Sequence, residues 1–161
     1  MTHKRTLVIG DIHGGLKALE QVLQRAEVTT HDQLIFLGDY VDGWPDTAKL
    51  IDFLIEIDQT HDCIFLKGNH EDLFLEWYYN QKQDLIWLNN GGKSTFDIYS
   101  KLDDTIKTRH IDFFEKLKLY YLDYENRLFT HGGFSNLRGV KHEYYEGMFF
   151  CDRTLGDMVL G

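Results

Sequence analysis

Three short apolar runs, each closed by a glycine and a polar cluster, set the rhythm of the first half of the chain. Thr6-Leu7-Val8-Ile9 runs into Gly10, Leu34-Ile35-Phe36-Leu37 into Gly38, and Cys63-Ile64-Phe65-Leu66 into Lys67-Gly68. Unbroken apolar stretches of this length read as buried strands, the first of them buried on both faces. Between the first two, Leu16, Leu19, Val22, Leu23 and Ala26 recur at helical spacing. Pro45 opens the next helix, where its missing N–H costs nothing, and Leu50, Ile51, Leu54, Ile55 and Ile57 form its apolar face. Strand, helix, strand, helix, strand predicts an α/β layer with a largely parallel sheet.

The middle of the chain reads as helical. One helix covers Glu71 to Tyr79, a short one runs from Asp84 to Asn89 and is stopped by Gly91-Gly92, and a third spans Asp103 to Leu117. Leu119–Tyr124 and Arg127–Thr130, separated by Glu125-Asn126, predict a hairpin whose second strand delivers His131. Phe134 to Gly147 reads as loop, Met148-Phe149-Phe150 as a further strand, and Asp152 to Leu160 as a turn or helix.

Open α/β sheets bind ligands beyond the carboxyl ends of their strands. Gly10-Asp11-Ile12-His13-Gly14, Gly38-Asp39-Tyr40-Val41-Asp42-Gly43 and Gly68-Asn69-His70-Glu71 all fall at that edge, and His131-Gly132-Gly133 follows a strand of its own. Singly, each residue has an ordinary explanation. Asp11 and Asp39 suit loop or helix caps, Asn69 an Asx turn, and His131 a half-buried histidine. Their joint placement beside glycines points to metal binding. Asp, His and Asn offer hard oxygen and imidazole donors suited to Mn²⁺, Fe or Zn²⁺. A shared carboxylate can hold two cations about 3.5–4 Å apart, which clamp a phosphoryl group and generate hydroxide near neutral pH.

Composition narrows the partners. The 161 residues are 43% hydrophobic and 27% charged, with a formal net charge of -9, enough for one domain with a core. An acidic chain is a poor match for nucleic acid or an anionic membrane, yet bound dications can reverse the local field for an anionic substrate. The two cysteines, Cys63 and Cys151, lack a paired spacing and fit a reducing compartment. No apolar signal core follows Met1-Thr2-His3-Lys4-Arg5, and no run approaches the roughly 20 residues of a membrane span. A cytoplasmic protein is expected.

GDIHG, GDYVDG, GNHE and HGG, in this order from Arg5 to about Arg153, resemble the motifs of the calcineurin-like metallophosphoesterases. More narrowly they resemble the phosphoprotein phosphatase branch, in its bacterial and phage forms. That resemblance implies an α/β fold of the metallophosphoesterase type, a β-sandwich of mixed sheets flanked by helices. It implies two divalent ions, most often Mn²⁺, with Asp11 and His13 on the first, Asp39 bridging, and Asn69 and His131 on the second. His70 becomes the general acid or transition-state stabiliser, paired with Asp42. A carboxylate beside an imidazole favours the proton-donating imidazolium. Glu71 is assigned to the helix N-terminus. The implied activity is metal-dependent hydrolysis of phosphomonoesters, on a phosphorylated protein or a small phosphoester, by a hydroxide bridging the ions. A dinucleoside polyphosphate hydrolase acting on molecules such as diadenosine tetraphosphate is the neighbouring alternative, although that branch tends to lack Asp42 and to read GNHD.

Three departures accompany the resemblance. Gly43-Trp44 stands where the family carries an arginine that grips phosphate, so Arg153, or Lys93 after Gly91-Gly92, is expected to take that load. Cys151 replaces a tryptophan in the stretch that ends at Arg153. The family's late Gly-His, a further ligand to the second ion, has no counterpart after Gly133, and His142 in a polar loop is a poor substitute. Residues 1–161 therefore read as a single domain lacking its C-terminal strands. Such a fragment is expected to have low or absent activity, to bind metal without turnover in the extreme case, and to associate through an open sheet edge.

Overall fold

The computed structural model describes residues 5–82 and 84–151. Strands β1 (Thr6–Ile9), β2 (Gln33–Phe36) and β3 (Asp62–Phe65) form a parallel sheet in the order β1-β2-β3. Leu7 lies opposite Leu34 and Leu34 opposite Cys63, so the strands advance in step and end at one edge. Helix α1 (Leu16–Arg25) joins β1 to β2, and α2 (Thr47–Ile57) joins β2 to β3. The parallel α/β layer expected from the apolar runs is what forms.

One face of the sheet carries the main core. Leu34 and Phe36 pack there with Leu50, Ile51 and Leu54 of α2, and with Phe74 and Trp77 of α3 (Asn69–Asn80). Helices α5 (Lys93–Tyr99) and α6 (Asp104–Phe114) close this side through Tyr99, Ile111 and Phe114. The other face is smaller. Ile35, Ile64 and Leu66 meet Leu37, Tyr121 and Phe129, the last two from an antiparallel hairpin of β4 (Tyr120–Leu122) and β5 (Leu128–Thr130). The hairpin is tied to the end of β3, where Lys118 N–H donates to Phe65 O and Lys67 N–H to Lys118 O. Parallel layer and antiparallel hairpin together give the mixed sheets that the family resemblance implies.

Three expectations need correction. Strand β1 is not buried on both faces. Val8 pairs with Ile35 but stays 49% exposed, because β1 is an edge strand and the hairpin covers the opposite end of the sheet. Gly91-Gly92 does not end the helical region. The short α4 (Leu85–Trp87) passes through a π-helical turn (Leu88–Gly92) directly into α5, with Gly91 at φ +102 absorbing the kink.

Met148-Phe149-Phe150 belongs to a helical turn, α7 (Met148–Cys151), and not to a strand. A three-residue apolar run has no period to tell the two apart. A single turn leaves its carbonyls without helical partners. Here Phe149 O accepts from Gly132 N–H at 2.6 Å and Met148 O from Gly133 N–H at 2.9 Å, so α7 braces the turn that follows His131. Among the described residues, no helix is long and apolar enough to cross a membrane.

Candidate metal centre

The loops after β1 and β2 are laced together by their backbones. Ile12 N–H and His13 N–H both donate to Asp39 O, at 3.0 and 2.8 Å, and Gly14 N–H donates to Tyr40 O at 2.8 Å. Three non-glycine residues in these loops adopt left-handed backbone: His13 at φ +49, Asp39 at +55 and Asp42 at +70. Each such residue costs on the order of 1 kcal/mol or more, and strain of this kind gathers at functional sites. Glycine is required where the β2 and β3 loops touch. A Cβ on Gly68 would lie 2.1 Å from Asp39 Oδ1, and one on Gly38 would lie 2.5 Å from Gly68 N.

The donors then converge on one carboxylate. His13 Nε2 is 3.6 Å from Asp39 Oδ2, and His131 Nε2 is 3.5 Å from the same oxygen. Asn69 Oδ1 lies 3.2 Å from His131 Nε2. Two overlapping clusters result, His13–Asp39–His70 and Asp11–Asp39–His131, each with its ligand atoms within 4.8 Å of one another. Adjacent ligands on one cation, at bonds of about 2.1 Å, stand about 3–3.4 Å apart, so the observed spacings fit ions seated on either side of Asp39. The tautomers also fit. His13 Nδ1 faces Val41 O at 2.9 Å, and His131 Nδ1 faces Leu37 O at 3.0 Å. A carbonyl can only accept, so Nδ1 carries the hydrogen, and in the neutral ring that leaves the Nε2 lone pair for a metal. Asp11 is the exposed member of the set. The structure thus brings Asp11, His13, Asp39, Asn69 and His131 together.

Beside them stands the His70–Asp42 pair. His70 Nδ1 is 2.6 Å from Asp42 Oδ2, and the rings of His13 and His70 meet edge-on at 4.7 Å. The hydrogen bond to Asp42 raises the His70 pKa above that of an ordinary imidazole, against burial, which lowers it. The charged, proton-donating ring is therefore the favoured form to higher pH than usual. No hydrogen bond of His70 Nε2 is made among the described residues, and a ring nitrogen of His70 lies within 4.8 Å of ligand atoms of His13 and Asp39.

Three residues that organise the site were not recognisable as such from the sequence. Glu71 is fully buried and accepts four backbone N–H groups: Asp39 and Gly68 on Oε2 at 2.8 and 2.9 Å, Tyr40 and Val41 on Oε1 at 2.7 and 3.1 Å. Burial, then the Asp39 charge, push its pKa up to about 7. The backbone donors pull the other way, toward the anion, since a carboxylate can accept from all of them without a donor of its own. The bond to Gly68 is the helix-start role expected from its position three residues into α3. The three bonds to residues 39–41 bind the other metal loop to it. Trp87 Nε1–H donates to Asp42 Oδ2 at 2.8 Å, and Asp42 N–H donates to Thr95 Oγ1 at 2.8 Å. A tryptophan or threonine in a helical stretch carries no sign of such a partner 45 or 53 residues away.

Of the two expected phosphate-binding side chains, Lys93 sits at the start of α5, 72% exposed and paired with Asp97 at 2.8 Å. Arg153 lies outside the described residues. The position next to Gly43, where the family's arginine is replaced, holds Trp44, 68% exposed on a recess of about 400 Å³ lined also by Gly14, Leu16, Lys17 and Pro45.

The model of the family described as calcineurin-like phosphoesterase matches residues 4–155. The chain belongs to that family. Members act as metal-dependent phosphoester hydrolases, and the donor set above agrees with that requirement. Over 140 residues the chain is 26% identical to the bis(5'-nucleosyl)-tetraphosphatase PrpE [asymmetrical] of Oceanobacillus iheyensis, covering 78% of this chain and 55% of that one. It is 29% identical over 130 residues to serine/threonine-protein phosphatase 2B catalytic subunit A2 of Saccharomyces cerevisiae, covering 80% of this chain and 19% of that one. Among solved structures, one provisionally named a diadenosine tetraphosphatase superposes with a TM-score of 0.68 at 20% identity, over 92% of this chain and 59% of that one. The chain spans about half the length of the tetraphosphatase relatives it matches.

Proposed function

We propose that this protein hydrolyses phosphomonoesters of the kind carried by phosphorylated serine or threonine, with two divalent ions, Mn²⁺ first among them. Asp11, His13, Asp39, Asn69 and His131 hold the ions. When bound, the ions supply charge for the phosphoryl oxygens and lower the pKa of a water. Asp39, with a hydrogen-bonded backbone and a side chain that is 2% exposed, fixes the spacing of the two sites. The observation that carries the substrate reading is the buried His70–Asp42 pair. An alkoxide leaving from a serine ester is a strong base and gains from a proton placed by His70. A nucleotide leaving from an anhydride is already a weak base and gains little.

A second reading is favoured by different observations. The tetraphosphatase relatives and the exposed Trp44 beside the metal loops suit a dinucleoside polyphosphate, whose base would stack on the indole. One experiment separates the two. The protein is assayed with added Mn²⁺ on p-nitrophenyl phosphate, a phosphoserine peptide and diadenosine tetraphosphate. Turnover of the peptide with little on the dinucleotide is expected. The reverse order replaces the first reading by the second, and metal binding without turnover on any of them ends both.

A further inference from the structure

Asp42 is a buried carboxylate with an uneven environment. Its side chain is 1% exposed, yet both side-chain donors that reach it fall on the same oxygen. Oδ2 takes His70 Nδ1 at 2.6 Å and Trp87 Nε1 at 2.8 Å, while Oδ1 is buried without a partner among the described residues. A carboxylate left to itself spreads its donors over both oxygens. Leaving one orphaned is costly, so something must hold the group in this rotation.

The frame around Trp87 shows what does. The indole is 1% exposed and sits on Gly92, where a Cβ would lie 2.4 Å from its ring. Gly91, at φ +102, turns its carbonyl to accept from Gly43 N–H at 3.2 Å. Thr95, at the start of α5, accepts from Asp42 N–H. The π-helical turn and the start of α5 thus hold the amides of Gly43 and Asp42, and the indole N–H grips one oxygen of the Asp42 carboxylate. The ring has no group to offer the phosphate. Its only polar atom is spent on Asp42.

We propose that Trp87 is a positioning residue for proton delivery. By fixing Asp42 Oδ2 in place it orients the His70 ring, so that His70 presents its other nitrogen to the leaving group. This rests on the proposed phosphoester hydrolysis for its kinetic consequence, but the orientation itself is a property of the protein without metal. Gly92 is then read as the seat of that indole and Gly91 as the clasp on Gly43, and the expectation that they end a helix gives way to these roles.

Trp87→Phe keeps a ring and removes the N–H. With Mn²⁺, kcat on phenyl phosphate, whose leaving group needs a proton, is expected to fall about tenfold or more, a part of the total that general acid catalysis supplies. On 2,4-dinitrophenyl phosphate, whose leaving group does not, kcat is expected to change less than about twofold, and KM for both to stay within about twofold. His70→Asn is expected to give the same pattern, and the double variant no further loss. Equal losses on the two esters, or a loss confined to KM, would overturn the proposal. The second readout needs no turnover. In metal-free, ¹⁵N-labelled protein, the Trp87 indole N–H signal, identified by its loss in Trp87→Phe, should move on Asp42→Asn, and the His70 ring signals should move in Trp87→Phe. If they move but no ester is hydrolysed by the unaltered protein, the hydrolase reading fails and the positioning stands. If they do not move, Trp87 is packing alone.

Discussion

Asp39→Asn is expected to lower Mn²⁺-dependent kcat/KM by about 10³-fold or more, roughly 4 kcal/mol of transition-state stabilisation. The substitution keeps the shape of the side chain and one oxygen. It removes the charge that both imidazoles face, at 3.6 Å from His13 and 3.5 Å from His131. An amide cannot serve as a shared anionic ligand, so the two proposed ion sites would lose their common member and their spacing together. The fold should survive: the backbone of residue 39 keeps its N–H bond to Glu71 and its carbonyl bonds from Ile12 and His13, and the remaining amide oxygen can still accept from His70 N–H, now at 3.1 Å from Asp39 Oδ1. Circular dichroism should be unchanged while calorimetric titration shows Mn²⁺ binding weakened at both sites. Metal-dependent turnover that persists in this variant would remove the basis of the two-ion assignment.

Glu71→Gln is expected to produce the largest loss of stability. The carboxylate answers four buried N–H groups, two on each oxygen. Glutamine answers two and turns an NH₂ toward the others. Each buried donor left without an acceptor costs about 1–3 kcal/mol, so about 2–6 kcal/mol should be lost. Against a total of about 5–15 kcal/mol for a domain, that is a large share. Urea denaturation of the metal-free protein would measure it as a lower midpoint. An unchanged midpoint would mean that the four bonds are not maintained in solution.

The parts of this molecule that could be read in advance are those written locally. Each of β1, β2 and β3 is a short apolar run with a glycine near its end, and the residues after that glycine are the proposed metal donors. Parallel strands in step bring Asp11, Asp39 and Asn69 to one edge whatever the helices do. What was hidden depends on partners far away in sequence. Val8 has the same apolar neighbours as Ile35, and only the sheet order leaves one exposed and the other buried. Met148-Phe149-Phe150 is too short to show a period, and its fold follows from the carbonyls it offers to Gly132 and Gly133. Trp87 looks like any core aromatic until Asp42 is seen beneath its N–H.

The single side chain of Glu71 has a dynamic consequence. Because Asp39, Tyr40, Val41 and Gly68 all donate to it, the loop after β2 and the entrance to α3 cannot breathe independently. Deuterium should enter these four amides at one shared slow rate, set by a joint opening rather than by the exposure of each. The hairpin tip at Glu125-Asn126, exposed and outside that unit, should exchange early.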